Sequence, residues 1–396
     1  MKILVVCQYY YPESFSITSI CESLVKRGHQ VDVVTGQPNY GMPGIKPGYE
    51  KIRYEEINGV HVNRVKIKPR KSGMMNLFKN YISFWRKSKR FVGRIKDKYD
   101  VVYSMSLSPV ISIVAANKYA KKHKINHVSH ILDIWPESPV AVHAIKRGSI
   151  LYKFLFNWSR AIYRNTDKLL VSSPSFIKYF DKVLGLKDKD IKFVAQPAIS
   201  KISSEEKSFE KRVNITYAGN IGTIQRLDEF VKAIFLLRDR TDFQMHIFGA
   251  GSQEKIVSKM IEERNLGDTI KMHGFISPEE LSGYYNKSTA IIVPLENDGS
   301  WVSSTIPNKL VTAMSYGKPI LASISGDGEK ILKETGGAFF SSLNEQSLCA
   351  TIEKIINADE ETLKQMGLNN KKYYDEHFDY ENVISQIEAE LSSSKN

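Results

Sequence analysis

The sequence predicts an α/β protein made of two doubly wound parallel-sheet domains. Three observations predict it. The 396 residues are too many for one ordinary core and suit two domains. Short apolar runs alternate with helical patterns along the whole chain. The alternation is broken once, by the polar, charged stretch ISKISSEEKSFEK, and then restarts. With 42% hydrophobic and 25% charged residues, the composition is that of a soluble globular protein, and no apolar run approaches the ~18–20 residues that span a bilayer.

The elements follow in order. KILVVCQY (2–9) reads as a buried first strand rather than a signal peptide. A helical stretch then runs to Arg27 and stops at Gly28, and QVDVVTG (30–36) is the next strand. GVHVNRVKI (59–67) precedes a basic helix, and DVVYSMS (100–106), HVSHILD (127–133), KLLVSS (168–173) and IKFVAQP (191–197) continue the series. After the break, VNITYAG, QMHIFGAG, IKMHGF, TAIIVPL, PILASIS and GAFFSS are strand-like, with a helix or loop between each pair. Strands alternating with helices imply parallel sheets with right-handed crossovers. The tail from about Tyr373 to Leu391 is amphipathic and helical, in a position to return to the first domain. The expected division is therefore 1–198, a linker at 199–211, a second domain at 212–372 and a tail at 373–396. Ligands of such folds sit beyond the carboxyl ends of the strands, and the cleft between two such domains suits a two-substrate reaction.

The net charge of +13 is concentrated. Between Arg64 and Lys98 lie thirteen Lys/Arg and one acid, Asp97. Met74, Met75, Phe78, Tyr81, Phe84 and Trp85 are interleaved with them. A helix lying on anionic lipid has this composition, with Arg86, Lys87, Lys89 and Arg90 facing the membrane. A solvated helix face whose apolar side packs on its own domain has it too. No nucleic-acid recognition motif accompanies the charge, so nucleic acid is not expected as a partner. Three cysteines, far apart and odd in number, suit a reducing cytosol and argue against a disulfide framework.

Two places in the second half suit a phosphate. In TYAGNIGTIQRLDEFVKA (216–233) a strand ends in Gly219-Asn220-Ile221-Gly222 and a helix starts near Leu227. The glycines let a ligand approach the backbone, and Arg226 stands before the helix N-terminus, which favours an anion. An ordinary strand–helix turn with a surface Arg reads the same way. In STIPNKLVTAMSYGKP (304–319) a helix begins around Pro307, which tolerates a first turn because its missing N–H would be unbonded there. The N–H groups of Asn308 and Lys309 then point out of the helix end, and Lys309 adds a positive charge. Together the two ends favour a nucleotide-binding second domain.

Other candidates are weaker. GAGSQE (249–254) begins like a dinucleotide fingerprint but has Glu254 at the third glycine position. Asp188 and Asp190 lie in a lysine-rich turn, and the histidines show no metal-ligand spacing, so no metal site is expected. His127 and His130 are expected on opposite faces of a strand, in structural roles. HILDIWPESP (130–139) is different: a strand exits into Asp133 and Glu137, two carboxylates that can serve acid/base chemistry or hold sugar hydroxyls. Capping by Asp133, with Glu137 on the surface, is the plainer alternative.

Nearly end to end, the chain resembles the retaining glycosyltransferases of family 4, and more narrowly the branch that builds bacterial capsule and O-antigen polysaccharides, including N-acetyl-fucosamine-type transferases. The resemblance is carried by YYYPE (9–13), VVTGQPNYG (33–41), GYEKIRYEEINGVHVNRV (48–65), LDIWPES (132–138), YAGNIGTIQRLDEF (217–230), HGFISPEEL (273–281) and IPNKLVTAMSYGKPI (306–320). It implies the GT-B fold, two Rossmann-like domains facing across a cleft. It also implies a nucleotide-sugar donor, UDP-linked by family habit, held in the second domain. Arg226 and Lys309 would meet the diphosphate with the N–H groups around Asn308 assisting, and Phe275 and Ile276 would frame the base. The first domain would take a lipid-linked saccharide acceptor at the cytoplasmic face of the membrane, with Glu13, Ser14, Asn39 and Tyr40 lining the acceptor side. No cofactor or metal would be needed, because positive groups and helix ends stabilise the departing diphosphate.

The chain departs from the family pattern in three places. Two glutamates eight residues apart are replaced by Ser304 and Thr312, so the ribose contact would be a neutral hydrogen bond from Thr312. PESFS (12–16) stands where a Gly-Gly loop is usual. A commonly catalytic His is absent, with Leu132 near its place, which leaves Asp133, supported by Glu137, as the catalytic candidates. These departures keep open a catalytically silent scaffold subunit of a polysaccharide-assembly complex. A nicotinamide-dependent enzyme is disfavoured by the incomplete fingerprint.

Overall fold

The computed structural model describes residues 1–71, 73–198, 212–296 and 299–394; the expected linker at 199–211 lies outside them. The chain divides into two compact units, Met1–Pro197 with Glu381–Asn396, and Ala198–Tyr380.

The first unit runs β1 (Lys2–Val6), α1 (Ser16–Lys26), β2 (Gln30–Gly36), β3 (Tyr54–Ile57), β4 (Val60–Val65), α2 (Met74–Val92), β5 (Val101–Ser106), α3 (Val114–His123), β6 (His127–Ile131), α4 (Glu137–Ala141), α5 (Ile150–Arg164), β7 (Lys168–Val171), α6 (Pro174–Lys178) and β8 (Asp190–Phe193). Its eight described strands are ordered β3-β4-β2-β1-β5-β6-β7-β8, and all neighbours are parallel except β3 and β4. The central strands are covered on both faces, which explains the apolar run ILVV of β1 and the burial of every residue of β5. The strand order switches direction between β1 and β5, so the loops after these strands flank the crevice where such sheets bind ligands.

β3 was not among the expected strands. It pairs antiparallel with β4 through a two-residue turn at Asn58 and Gly59, both with positive φ (49° and 80°). That is the Asn-Gly signature of a hairpin, legible in EEINGVHV but masked by the surrounding charge.

The second unit runs β9 (Val213–Ala218), α7 (Leu227–Leu236), β10 (Phe243–Phe248), α8 (Glu254–Glu263), β11 (Ile270–Gly274), α9 (Pro278–Lys287), β12 (Ala290–Pro294), α10 (Asn308–Ser315), β13 (Ile320–Ser323), α11 (Gly326–Thr335), β14 (Ala338–Phe340), α12 (Glu345–Asn357) and α13 (Glu360–His377). Its six described strands are parallel in the order β11-β10-β9-β12-β13-β14, and the strand order switches direction between β9 and β12. A core of Ile215, Tyr217, Phe230, Val231, Ile247 and Ile292 lies between sheet and helices.

The tail is two helices, not one. α13 ends at His377, and α14 (Tyr380–Ser392) packs on the first unit, burying Val383, Ile384, Ile387 and Leu391. Glu388 of α14 takes Arg27 at 2.8 Å and His29 at 2.6 Å, and Glu390 takes Lys168 at 2.7 Å.

Candidate functional site

In the second unit the loops after β9, β10 and β11 are laid side by side. The Gly219 N–H donates to the Phe248 carbonyl at 3.0 Å, and the Gly249 N–H to that of Gly274 at 2.7 Å. A Cβ on Gly249 would lie 1.9 Å from the Gly219 oxygen, and one on Gly251 would lie 2.3 Å from the Ile221 oxygen. GAG (249–251) is therefore not a dinucleotide fingerprint. Its glycines allow two loops to pack backbone to backbone.

Gly219 adopts φ of 143°, and a Cβ there would lie 2.1 Å from the Lys309 Cε. The structure thus brings together the two stretches singled out as phosphate sites. Pro307 is the residue before α10 rather than its first residue, and the helix end carries no side-chain cap. Asn308 is exposed there, while the Lys309 side chain turns inward, donates to the Tyr217 hydroxyl at 2.7 Å and lies over its ring. Burial pushes the Lys309 ammonium down to about 7, and no carboxylate among the described residues pairs with it. Tyr217 was not among the expected site residues, although it stands two positions before Gly219. Its hydroxyl in turn donates to the Asn220 carbonyl, and Gly222 is buried beside the Asn220 amide.

Arg226 is a different matter. The diphosphate role expected of it meets a guanidinium already held by Glu229 at 2.8 Å, Glu296 at 2.9 Å and Asp228 at 3.4 Å. With three carboxylates around it, Arg226 ties the start of α7 to the loop after β12. Phe275 is 76% exposed beyond β11, with Ile276 half-buried beside it. Thr312 is half-buried on the second turn of α10.

In the first unit the loop after β1 folds back on itself. Glu13 accepts from the N–H groups of Asn39 at 2.7 Å and Tyr40 at 2.6 Å. Burial raises its carboxyl above the usual range, and these N–H bonds oppose the shift. Asn39 is fully buried, donating to the Gln37 carbonyl and accepting from Asn80, so its amide supports the loop rather than lining a site. Ser14 and Tyr40 are exposed. Tyr40 meets Tyr9 and Phe15 edge-on, and the Arg70 guanidinium lies 4.8 Å from the centre of its ring.

Asp133 follows β6, accepts from the Ser108 N–H at 3.1 Å, and is raised by burial against that bond. Burial raises the Tyr81 phenol, and the charges of Tyr40 and Asp133 add to the shift. Asp133 therefore adjoins the aromatic cluster. Glu137 does not take the supporting role expected of it. It is neither on the surface nor open to a substrate: Arg147, Tyr152 (2.8 Å) and Tyr179 (3.2 Å) all bond its carboxylate in the interior. His127 and His130 are also interior, pushed by burial to about 3 and about 4 and bonded to their own neighbours.

The basic segment divides. Arg64 is buried against Glu55 and the Tyr11 carbonyl, and Asn80, Phe84, Ser88 and Val92 form the buried stripe of α2. Arg86, Lys87, Lys89 and Arg90 are exposed, as are Met74, Met75 and Phe78. No helix among the described residues is long and apolar enough to cross a membrane.

The decisive comparison is with family models. Residues 199–373 match "Glycosyl transferases group 1" and residues 15–195 match "Glycosyl transferase 4-like domain". The chain is built of two glycosyltransferase domains. The chain is 24% identical over 337 residues to the 2-deoxystreptamine N-acetyl-D-glucosaminyltransferase of Niallia circulans, covering 81% of this chain and 84% of that one. Its fold is similar to sucrose-phosphate synthase from Thermosynechococcus elongatus, with a TM-score of 0.76 at 15% identity over 99% and 98% of the two chains. It is also similar to Anabaena HepE in complex with UDP-glucose, with a TM-score of 0.67 at 14% identity over 99% and 100%. The chain thus has two parallel-sheet α/β domains of the GT-B kind.

Proposed function

We propose that the protein moves a sugar from a nucleoside diphosphate sugar, UDP-linked, to a lipid-linked saccharide at the cytoplasmic face of the membrane, with retention of configuration and without a metal, in the synthesis of a bacterial surface polysaccharide. The observation that carries the reading is Lys309: a half-buried side chain whose ammonium turns inward onto Tyr217 with no carboxylate partner among the described residues, at the N-terminus of α10 and against the backbone of Gly219. Such a group is stabilised by an anion, and a diphosphate supplies one. HepE with UDP-glucose supports the same donor class on the same fold.

In this reading the N–H groups of Asn308 and Lys309, with the Lys309 ammonium, take the charge that develops on the departing diphosphate. Gly219, Asn220 and Gly222 bring the backbone close to it. Phe275 and Ile276 frame the base, and Thr312 meets the ribose with a neutral hydrogen bond. Arg226 acts through its carboxylates as a positioning residue. Asp133 holds a hydroxyl of the reacting sugars, and Tyr40 with the Glu13 loop lines the acceptor side. The exposed basic residues of α2 face anionic lipid.

A thermal-shift titration against UDP, GDP, ADP and NAD tests the donor site, because a ligand specific to the folded state raises the melting temperature. A shift with UDP that is lost in Lys309→Ala is expected; no shift with UDP sinks the reading. Turnover of a UDP-sugar with membrane extract as acceptor then separates an enzyme from a silent scaffold.

A further inference from the structure

We propose that the N-terminal half of α5 inserts into the bilayer, and that α5 and α2 together form one face docked on an anionic lipid surface. The partner rests on the membrane reading above, which assigned only the charge of α2. The apolar side of α5 is a separate observation.

Ile150 is 89% exposed, Phe154 62% and Leu151 53%, and Val142 just upstream is also exposed. Positions 150, 151 and 154 share one side of a helix. The helix is anchored along the rest of its length: Ser159, Ile162 and Tyr163 are buried in its C-terminal half, Tyr152 donates to Glu137, and the Ser149 hydroxyl caps the helix. The helix is thus held rigidly with three large apolar side chains outward, more than scattered surface apolar residues account for.

Three further facts choose the occupant. Residues 138–166 contain five Lys/Arg and no Asp or Glu. Lys153 is exposed between Leu151 and Phe154. The Trp158 ring meets Trp85 of α2 edge-on at 6.1 Å and lies 6.0 Å from Phe154, so the apolar side of α5 is linked to the helix that carries the exposed basic residues. A second copy of this chain would bring two positive faces together, and a nucleic acid would leave the apolar side chains in water. An anionic bilayer matches both, with headgroups on the cations and acyl chains on Ile150, Leu151 and Phe154.

The test is co-sedimentation of the full chain with vesicles of phosphatidylglycerol and phosphatidylcholine, or of phosphatidylcholine alone, at low and high salt. The triple variant Ile150→Ser, Leu151→Ser, Phe154→Ser is expected to bind the anionic vesicles at least about tenfold more weakly. What binding it keeps should be abolished by salt, and its melting temperature and UDP-induced shift should be unchanged. A Leu151→Cys chain carrying an environment-sensitive dye, made in a Cys349→Ser background, should shift to the blue with anionic vesicles. Unchanged vesicle binding by the triple variant, or no dye shift, overturns the proposal. So does a change in oligomeric state without a change in vesicle binding, which would give the face to a second copy. A wild-type chain that responds to UDP but ignores vesicles defeats this proposal and leaves the donor site standing.

Discussion

The Lys309 ammonium donates to the Tyr217 hydroxyl at 2.7 Å and stands 4.6 Å from the centre of the same ring. A phenol and a π face replace part of its hydration but bring no counter-charge. The arrangement favours an anionic partner over bulk water, and it sits at a helix end that also favours an anion.

Lys309→Met should therefore separate binding from stability. UDP affinity is expected to weaken by ~1.5–3 kcal/mol, the size of a charge-assisted contact. The ligand-free protein should hold or raise its melting temperature, because a buried ammonium has been replaced by a packed apolar chain. Titration and scanning calorimetry read the two effects. A fall in stability with UDP affinity intact would make Lys309 a structural residue.

The same group sets a pH dependence. Its folded value is about 7 against an ordinary 10.5, so between these values the unfolded chain binds more protons than the folded one. Stability from this site is lowest below about pH 7 and improves as pH rises towards 10.5. A bound diphosphate favours the ammonium, so UDP binding should take up a proton above pH 7 and weaken as pH rises. Binding heats in two buffers of different ionisation enthalpy count that proton, and Lys309→Met should abolish it.

The glycine loops predict a graded pair. Gly219→Ala places a Cβ against the flexible Lys309 side chain, at φ of 143°, and should displace that side chain and lower UDP affinity. Gly249→Ala places a Cβ against the rigid Gly219 carbonyl and should cost more stability, on the order of 2–4 kcal/mol. Denaturant unfolding ranks them, and the reverse order would mean that the loops are not packed as described.

The two carboxylates after β6 should also separate. Burial raises the Asp133 carboxyl, so its ionised form contributes no stability at neutral pH, and Asp133→Asn should leave unfolding unchanged while lowering kcat by roughly a hundredfold or more. Glu137→Gln leaves Arg147 and two tyrosines with a neutral partner and should destabilise by ~2–4 kcal/mol. Equal kcat in wild type and Asp133→Asn would remove Asp133 from the chemistry.

Removing α14 should destabilise the first unit severely. Val383, Ile384, Ile387 and Leu391 each contribute ~1.5–3 kcal/mol of burial, and Arg27 and Lys168 lose their carboxylates. Loss of soluble protein, or a melting temperature lowered by many degrees, is the expected outcome.

Most of the fold was legible because a strand covered on both faces must be largely apolar, as ILVV and AIIVP are. The hairpin at Asn58-Gly59 was missed, although its turn is written in two residues. Likewise the backbone-to-backbone fit of Gly219 and Gly249, two glycines thirty positions apart, had no local signature. The carboxylates were hardest to read. Glu137 and Asp133 stand four positions apart after β6, yet one is consumed by Arg147, Tyr152 and Tyr179 while the other receives a single N–H from Ser108.

The sequence by itself determined two parallel α/β sheets, their helices, and the helix end where Lys309 stands. Periodicity and turn chemistry act over a few neighbouring residues, so those features are local. Only the tertiary structure decided which cation is left for a ligand. It placed Glu296, seventy positions away, on Arg226, and set Lys309 against Tyr217 with no carboxylate partner among the described residues. Coulomb attraction and desolvation depend on distance through space and on burial, and separation along the chain fixes neither.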